Sequence, residues 1–476
     1  MKPTNIGSID ASIKHPGLQG KSQKQNSSFK NISDSFKESK TEEDPEVDLK
    51  KISRDLLSKN PPSTLWKFEL GCYMQEKPVM SPGGHLYLTG NNDEIHVIDA
   101  RDGAHVWQKR VDKTIGPIES SDGSVIVFDA NWDSQMNILD ADMGDKKWKS
   151  DITLEDVRIN PAMDRDGTLY FVTEENFITA IDGKSGKTKW KKDMGNSVSD
   201  TPVIGPDNTL FISNNSGLKA VDSKTGNQKW KFKTKTFINS GAIFDKKGNV
   251  YAAEHGGMLY SINGKTGEKI WETKITDFII LRSPAIAPDG TIFVTDGNNS
   301  AIHAINPDTG KEKWKFESKE EPFHEKYLPF PPAFDSDGNV YIGDKAGSIT
   351  ALKIETGEKI WEHKTGEGNV VSSPTISPGG IVYAGDSKGI VHAFNRETGK
   401  KIWKRNVKVH LPYPIMIGPN GMVIAASHEG KIYSLEGPEY REEKKEGKSS
   451  KPAPKITIGK DFVNIGGVKL RIRKFQ

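Results

Sequence analysis

Nine tryptophans, Trp66, Trp107, Trp148, Trp190, Trp230, Trp271, Trp314, Trp361 and Trp403, recur at intervals of 40 to 47 residues, and Trp132 alone falls outside the series. A period of this length marks a chain built from repeated supersecondary modules, which escapes the size limit of a single hydrophobic core. One module is visible in residues 202–230, PVIGPDNTLFISNNSGLKAVDSKTGNQKW, and again in residues 374–403, PTISPGGIVYAGDSKGIVHAFNRETGKKIW. A short run after Pro, a Pro-Asp or Asp-Gly turn, an alternating apolar run, a second turn, a third run and a Thr-Gly turn lead to the Trp. That order of signals predicts four short antiparallel strands.

A four-stranded sheet has two apolar faces and cannot bury them alone, so the sheets are expected to stack around an axis as the blades of one β-propeller. The Trp side chain is wide enough to cover the gap between neighbouring blades, and its indole N–H needs a carbonyl there. The Gly before it (Gly186, Gly226, Gly267, Gly310, Gly357, Gly399) supplies a positive φ. Asp182 and Asp222 are placed to cap the same turns. Modules begin at Pro78, Pro117, Pro161, Pro202, Gly241, Pro284, Pro332, Pro374 and Pro414. The last has no Trp strand after it and Trp66 has no three strands before it, so Trp66 is expected to complete the final blade and close the ring. The count gives nine blades, with eight and a displaced terminal unit as the alternative.

The propeller is expected over residues 61–435. Residues 1–60, rich in Ser, Lys, Asn and Gln, read as a disordered arm, with an apolar stripe of helical spacing only at residues 47–57. Residues 436–454 read as a charged linker. Residues 455–476 read as a basic hairpin or tail turning at Gly466 and Gly467.

The first 60 residues carry a net charge of +2 and residues 436–476 a net +5, so of the total of +3 the propeller holds −4. A weakly acidic body offers no footprint for nucleic acid. Cys72 is the only cysteine, which excludes an intramolecular disulfide and a multi-cysteine zinc site. Residues 1–30 hold no apolar stretch of signal-peptide length and no window approaches a spanning helix, so a cytoplasmic protein is expected, with a non-classical export route as the alternative.

Residues 180–190, AIDGKSGKTKW, and 220–230, AVDSKTGNQKW, resemble the tryptophan-docking motif of pyrroloquinoline-quinone-like propeller repeats. The motif recurs before Trp314, Trp361 and Trp403 and weakens before Trp107 and Trp148. The resemblance implies the propeller fold. It also implies a choice between quinone-dependent dehydrogenases and a non-catalytic branch that includes the bacterial outer-membrane assembly propeller. Many of the dehydrogenases carry a disulfide between adjacent cysteines and a calcium held by Glu, Asn and Asp. One cysteine cannot make the first, and near-minimal repeats leave little room for the second. A non-enzymatic scaffold without cofactor or metal is therefore expected, acting as a monomer on another protein. The alternative is a quinone-dependent dehydrogenase or a sugar-binding protein using the central funnel.

The nine repeating Trp residues read as interblade packing rather than a ligand platform. His96, His303 and His392 share one strand position in three modules too far apart to hold a common metal. Two departures from the minimal repeat carry the functional expectation. Residues 128–135, FDANWDSQ, contain Trp132, and the insertion 317–331 contains Phe323, His324, Tyr327 and Phe330. The loop between strands two and three and the connection to the next blade open on one face, so both are expected on one rim, offering partner-binding aromatics.

Overall fold

A computed structural model describes residues 62–471. It leaves out 111–116, 120–124, 131–134, 141–142, 154–156, 174–175, 239–240, 278–279, 281–282, 297–300, 318–330, 441–455, 460–461, 466–467 and the single residues 345, 367 and 371. The arm and its apolar stripe at 47–57 lie outside these. The described chain forms nine four-stranded antiparallel sheets and one three-stranded sheet. In chain order the blades span 79–110, 118–153, 157–193, 203–233, 243–274, 285–317, 333–364 and 375–406, numbered 1 to 8. Blade 9 joins 416–435 to Thr64–Glu69. In eight blades the ladders form one continuous sheet. In blade 2 they are offset, because Ile118 and Glu119 pair with Ile126 and Val125 while the next ladder begins at Val127 opposite Leu139.

Within a blade the strands differ in burial as their positions require. In blade 4, Thr209–Asn214 is buried throughout, the first strand Val203–Ile204 is half-buried, and the outer strand Gln228–Lys233 alternates Lys and Gln with the buried Trp230. The core lies between blades: Tyr170, Val172, Ile178 and Trp190 of blade 3 form one cluster with Leu210, Ile212 and Val221 of blade 4. Burying both sheet faces against neighbours is what obliges the modules to stack.

The seams follow the tryptophans. The indole Nε1–H donates to a carbonyl of the next blade from Trp66 to Ala100 (3.0 Å), Trp148 to Gly183 (2.8 Å), Trp190 to Ser223 (2.8 Å) and Trp230 to Gly264 (2.9 Å). The same bond runs from Trp271 to Pro307 (2.8 Å), Trp314 to Ile354 (2.9 Å) and Trp361 to Arg396 (2.8 Å). Trp107 lies against Gly144 of blade 2, and Trp403 packs with Ile415, Val423 and Leu435 of blade 9. Blade 9 is completed from the other end of the chain, with Trp66 opposite Ser434 and Phe68 opposite Ile432. The blade chain therefore closes on itself.

Antiparallel order sends the turns between strands one and two and between strands three and four to one face, here called lower. The turns between strands two and three and the connections between blades lie on the other, upper face. At the C-terminus a strand at Ile456–Gly459 joins Phe462–Ile465 and Val468–Arg471, so the expected two-stranded hairpin is a three-stranded sheet.

Candidate functional site

Trp132, Phe323, His324, Tyr327 and Phe330 lie outside the described residues. The strands that flank them are described. Val125–Ala130 and Gln135–Leu139 of blade 2 bracket Trp132, while Glu312–Glu317 of blade 6 and Ala333–Phe334 of blade 7 bracket the insertion. Both junctions open on the upper face. The two junctions belong to sectors separated by four blades.

The described part of the upper face shows a regular device. Each of four connections lays one carbonyl on the turn of the next blade: Asn91 N–H donates to Tyr73 O at 2.8 Å, Asn215 to Ser197 at 3.3 Å, His255 to Phe237 at 2.9 Å and Ser387 to Asn369 at 2.9 Å. The following residue, Met74, Val198, Ile238 or Val370, plugs the seam and is at most 2% exposed. Seating the plug forces the residue before it outward. Where that residue is aromatic the face gains an exposed ring, with Tyr73 at 54% and Phe237 at 37%. Tyr73 lies 5.4 Å from the His428 ring, and Phe237 stacks on His255 at 4.4 Å. Tyr73 stands at the seam of blades 9 and 1, and Phe237 at the seam of blades 4 and 5. Sequence inspection for insertions misses both, because they sit in connections of ordinary length. Their signal is an aromatic immediately before the apolar plug.

His96, His303 and His392 do occupy equivalent places, in blades 1, 6 and 8, and are not brought together. Each meets its own carboxylate: His96 Nε2 lies 3.2 Å from Glu94 Oε2, His303 Nδ1 2.6 Å from Glu312 Oε2, and His392 Nε2 2.9 Å from Asp386 Oδ2. Burial holds the His96 imidazole below its ordinary value, against the pull of Glu94. At Asp386 burial alone would raise the carboxyl, but the His392 ring and the amides of Ile390 and Lys388 outweigh it and hold it below the usual carboxylate range. These are packed positions in which each ring is hydrogen-bonded to a carboxylate of its own blade.

A quinone and calcium centre needs several carboxylate or amide oxygens converging on one point. Among the described residues no three His, Cys, Asp or Glu side chains form a group able to hold a metal ion, and Cys72 has no second cysteine to pair with.

The family model of the outer membrane protein assembly factor BamB matches residues 56–165, 138–278 and 280–442. The BamB assembly factor of Moranella endobia is 21% identical over 322 residues, 65% of this chain and 72% of that protein. That of Burkholderia pseudomallei is 28% identical over 115 residues, which covers 24% of this chain and only 27% of the relative. The crystal structure of BamB from Moraxella catarrhalis superposes with a TM-score of 0.46 at 20% identity, over 68% of this chain and 97% of that one. The expectation of a cytoplasmic protein is overturned here, since the relatives are assembly factors of outer membrane proteins. A polar stretch at residues 1–30 carries no information against that. Matched by three stretches lying between residues 56 and 442, the chain belongs to the family of the outer membrane protein assembly factor BamB.

Proposed function

We propose that this chain is a non-catalytic interaction scaffold in outer membrane protein assembly, and that its upper face receives the partner protein. The observation that supports this reading is the placement of Tyr73 and Phe237, exposed beside His428 and His255, on the face where the described strands on either side of residues 131–134 and 318–330 end. Aromatic side chains supply contact area at little conformational cost and dominate interface energetics, whereas an exposed ring contributes almost nothing to folding. The ring of blades holds them rigidly, as a binding surface requires.

The test is a comparison of the full chain with Tyr73→Ala, Phe237→Ala and Trp132→Ala in affinity capture from cell-envelope extracts, followed by titration of the captured partner. Each substitution in the contact sector is expected to weaken binding by about 2 kcal/mol, roughly thirtyfold, with an unchanged melting temperature. Unchanged affinity in all three variants would move the contact off this face.

A further inference from the structure

The lower face holds a cavity of about 570 Å³ where blades 5, 6 and 7 meet. Its floor is the ends of three first strands, Phe244, Ile286 and Phe334, and its walls include Pro288 and Pro307. Phe244 and Phe334 are held in place by rings of the preceding blades, Phe211 at 4.9 Å and Phe293 at 5.1 Å. The volume falls within the roughly 300–1,000 Å³ of ligand pockets, and the apolar floor calls for an apolar side chain.

The mouth adds a charge requirement. Asp289 accepts hydrogen bonds from the Thr291 amide and hydroxyl, and Asp308 pairs with Lys247 at 2.6 Å across the seam, both side chains about two-thirds exposed. Lys246 and Lys247 border the blade 5 side. In the turns of blade 7 Asp335 and Asp337 pair with Arg396 at 3.8 and 2.6 Å, and Lys313 lies 3.8 Å from Asp289, so the acids that face the mouth from blade 6 are Asp289 and Asp308. An occupant that joins an apolar side chain to cations fits this surface.

We propose that the cavity is a docking site for such a segment and that its occupant is the C-terminal segment of this same chain, residues 472–476, IRKFQ. Three observations point there. Residues 469–476 hold Lys469, Arg471, Arg473 and Lys474 without an acid, and place Phe475 beside the cations. The chain leaves blade 9 on the lower face, because Glu439 Oε1 accepts from Ser377 Oγ and the Gly379 amide, both at 2.7 Å, in the first turn of blade 8. Residues 441–455 then supply a reach of up to roughly 50 Å, enough to cross to the next two blades. The docking stands independently of the partner proposed for the upper face.

The experiment uses the full chain with Phe475 replaced by the photoreactive benzoylphenylalanine, irradiated at low concentration and mapped by mass spectrometry. The expected products are intramolecular cross-links to peptides holding residues 244–247 or 286–290. Their yield should fall at least tenfold in the Asp289→Lys, Asp308→Lys double variant, whose melting temperature is measured alongside because Asp289 also caps the Thr291 turn, and at 1 M salt, where the Debye length is about 3 Å. Cross-links to the upper face, cross-links only between two molecules, or a yield indifferent to the charge reversal would each overturn the proposal.

Discussion

Asp164, Asp245 and Asp335 each open the turn between a blade's first two strands and divide their carboxylate oxygens between two partners. Oδ1 of Asp335 accepts from the Asp337 and Asn339 amides, both at 2.9 Å, while Oδ2 accepts from the Tyr341 hydroxyl at 2.8 Å. Tyr170 and Tyr251 make the same bond to Asp164 and Asp245, at 2.7 and 2.9 Å. The rings of Tyr170, Tyr251 and Tyr341 lie 5.8–5.9 Å from Trp190, Trp271 and Trp361 of the same blades. Burial, followed by the nearby carboxylate, pushes these phenols well above their ordinary range, so each remains a donor. The pairing is legible in the sequence as Asp followed six residues later by Tyr. Where the turn opens on Gly205 or Ala287, the sixth residue on is Phe211 or Phe293. Reading turns for capping alone misses it, because the Tyr partner lies on the following strand. Asp335→Ala is expected to cost about 2–4 kcal/mol by urea denaturation, since it removes a turn cap and leaves the Tyr341 hydroxyl only its longer bond to the Arg396 carbonyl at 3.4 Å, and Tyr341→Phe about 1–2. The double variant should cost clearly less than the two together. Strict additivity would show that the pair does not act as a unit.

The turn that leads to each Trp strand does more than reverse the chain. Gly226 has φ +69° and Gly267 +77°, a region that favours glycine, and Asp222 caps the first of these turns through the amides of Lys224 and Thr225. That much follows from a Thr-Gly turn in the sequence. The second reason for glycine does not, because it depends on the neighbouring blade. A Cβ on Gly226 would meet Trp190 at 2.6 Å, one on Gly267 would meet Trp230 at 2.6 Å, and one on Gly399 would meet Trp361 at 2.5 Å. The glycine of one blade is the floor on which the preceding blade's indole lies. Gly248, with φ +84°, serves as a control, since a Cβ there meets nothing within 4 Å. Gly248→Ala should cost about 1–2 kcal/mol, the price of the left-handed backbone alone. Gly226→Ala should cost about 2–5, because overpacking against Trp190 is added to it. Calorimetric melting of the two variants side by side separates the terms, and equal losses would remove the stacking argument.

At the scale of the ring, the repeat period and the mismatch between the chain's two ends carry nearly all of the architecture, because every module repeats the same signals. What was not legible is the surface chemistry of the ordinary connections: Tyr73 and Phe237 reach the upper face from segments of unexceptional length, while Trp132, Phe323, His324, Tyr327 and Phe330 lie outside the described residues. Closure is the feature on which all other geometry depends. The strand Thr64–Glu69 pairs along Lys431–Leu435, the Trp66 indole donates to Ala100 of blade 1, and Ser63 exchanges hydrogen bonds with Glu436 through its carbonyl and hydroxyl. Trp66 is 9% exposed and packs among Leu86, Ile98, Ile424 and Ile432, so one strand stitches blades 9 and 1 together. Removing residues 1–60 takes away none of these contacts and should leave the melting temperature nearly unchanged. Removing residues 1–72 deletes the strand, strips the cover from Ile424 and Ile432, and leaves Lys431–Leu435 as an unpaired edge open to association with other chains. Truncation of a fully packed aromatic typically costs about 3–5 kcal/mol, so Trp66→Ala alone should lower stability by about that amount. The longer deletion should go further and aggregate on heating. Melting curves and light scattering of the two truncations test this directly: if they melt together and stay equally monodisperse, the ring is not held shut by Trp66 and its strand.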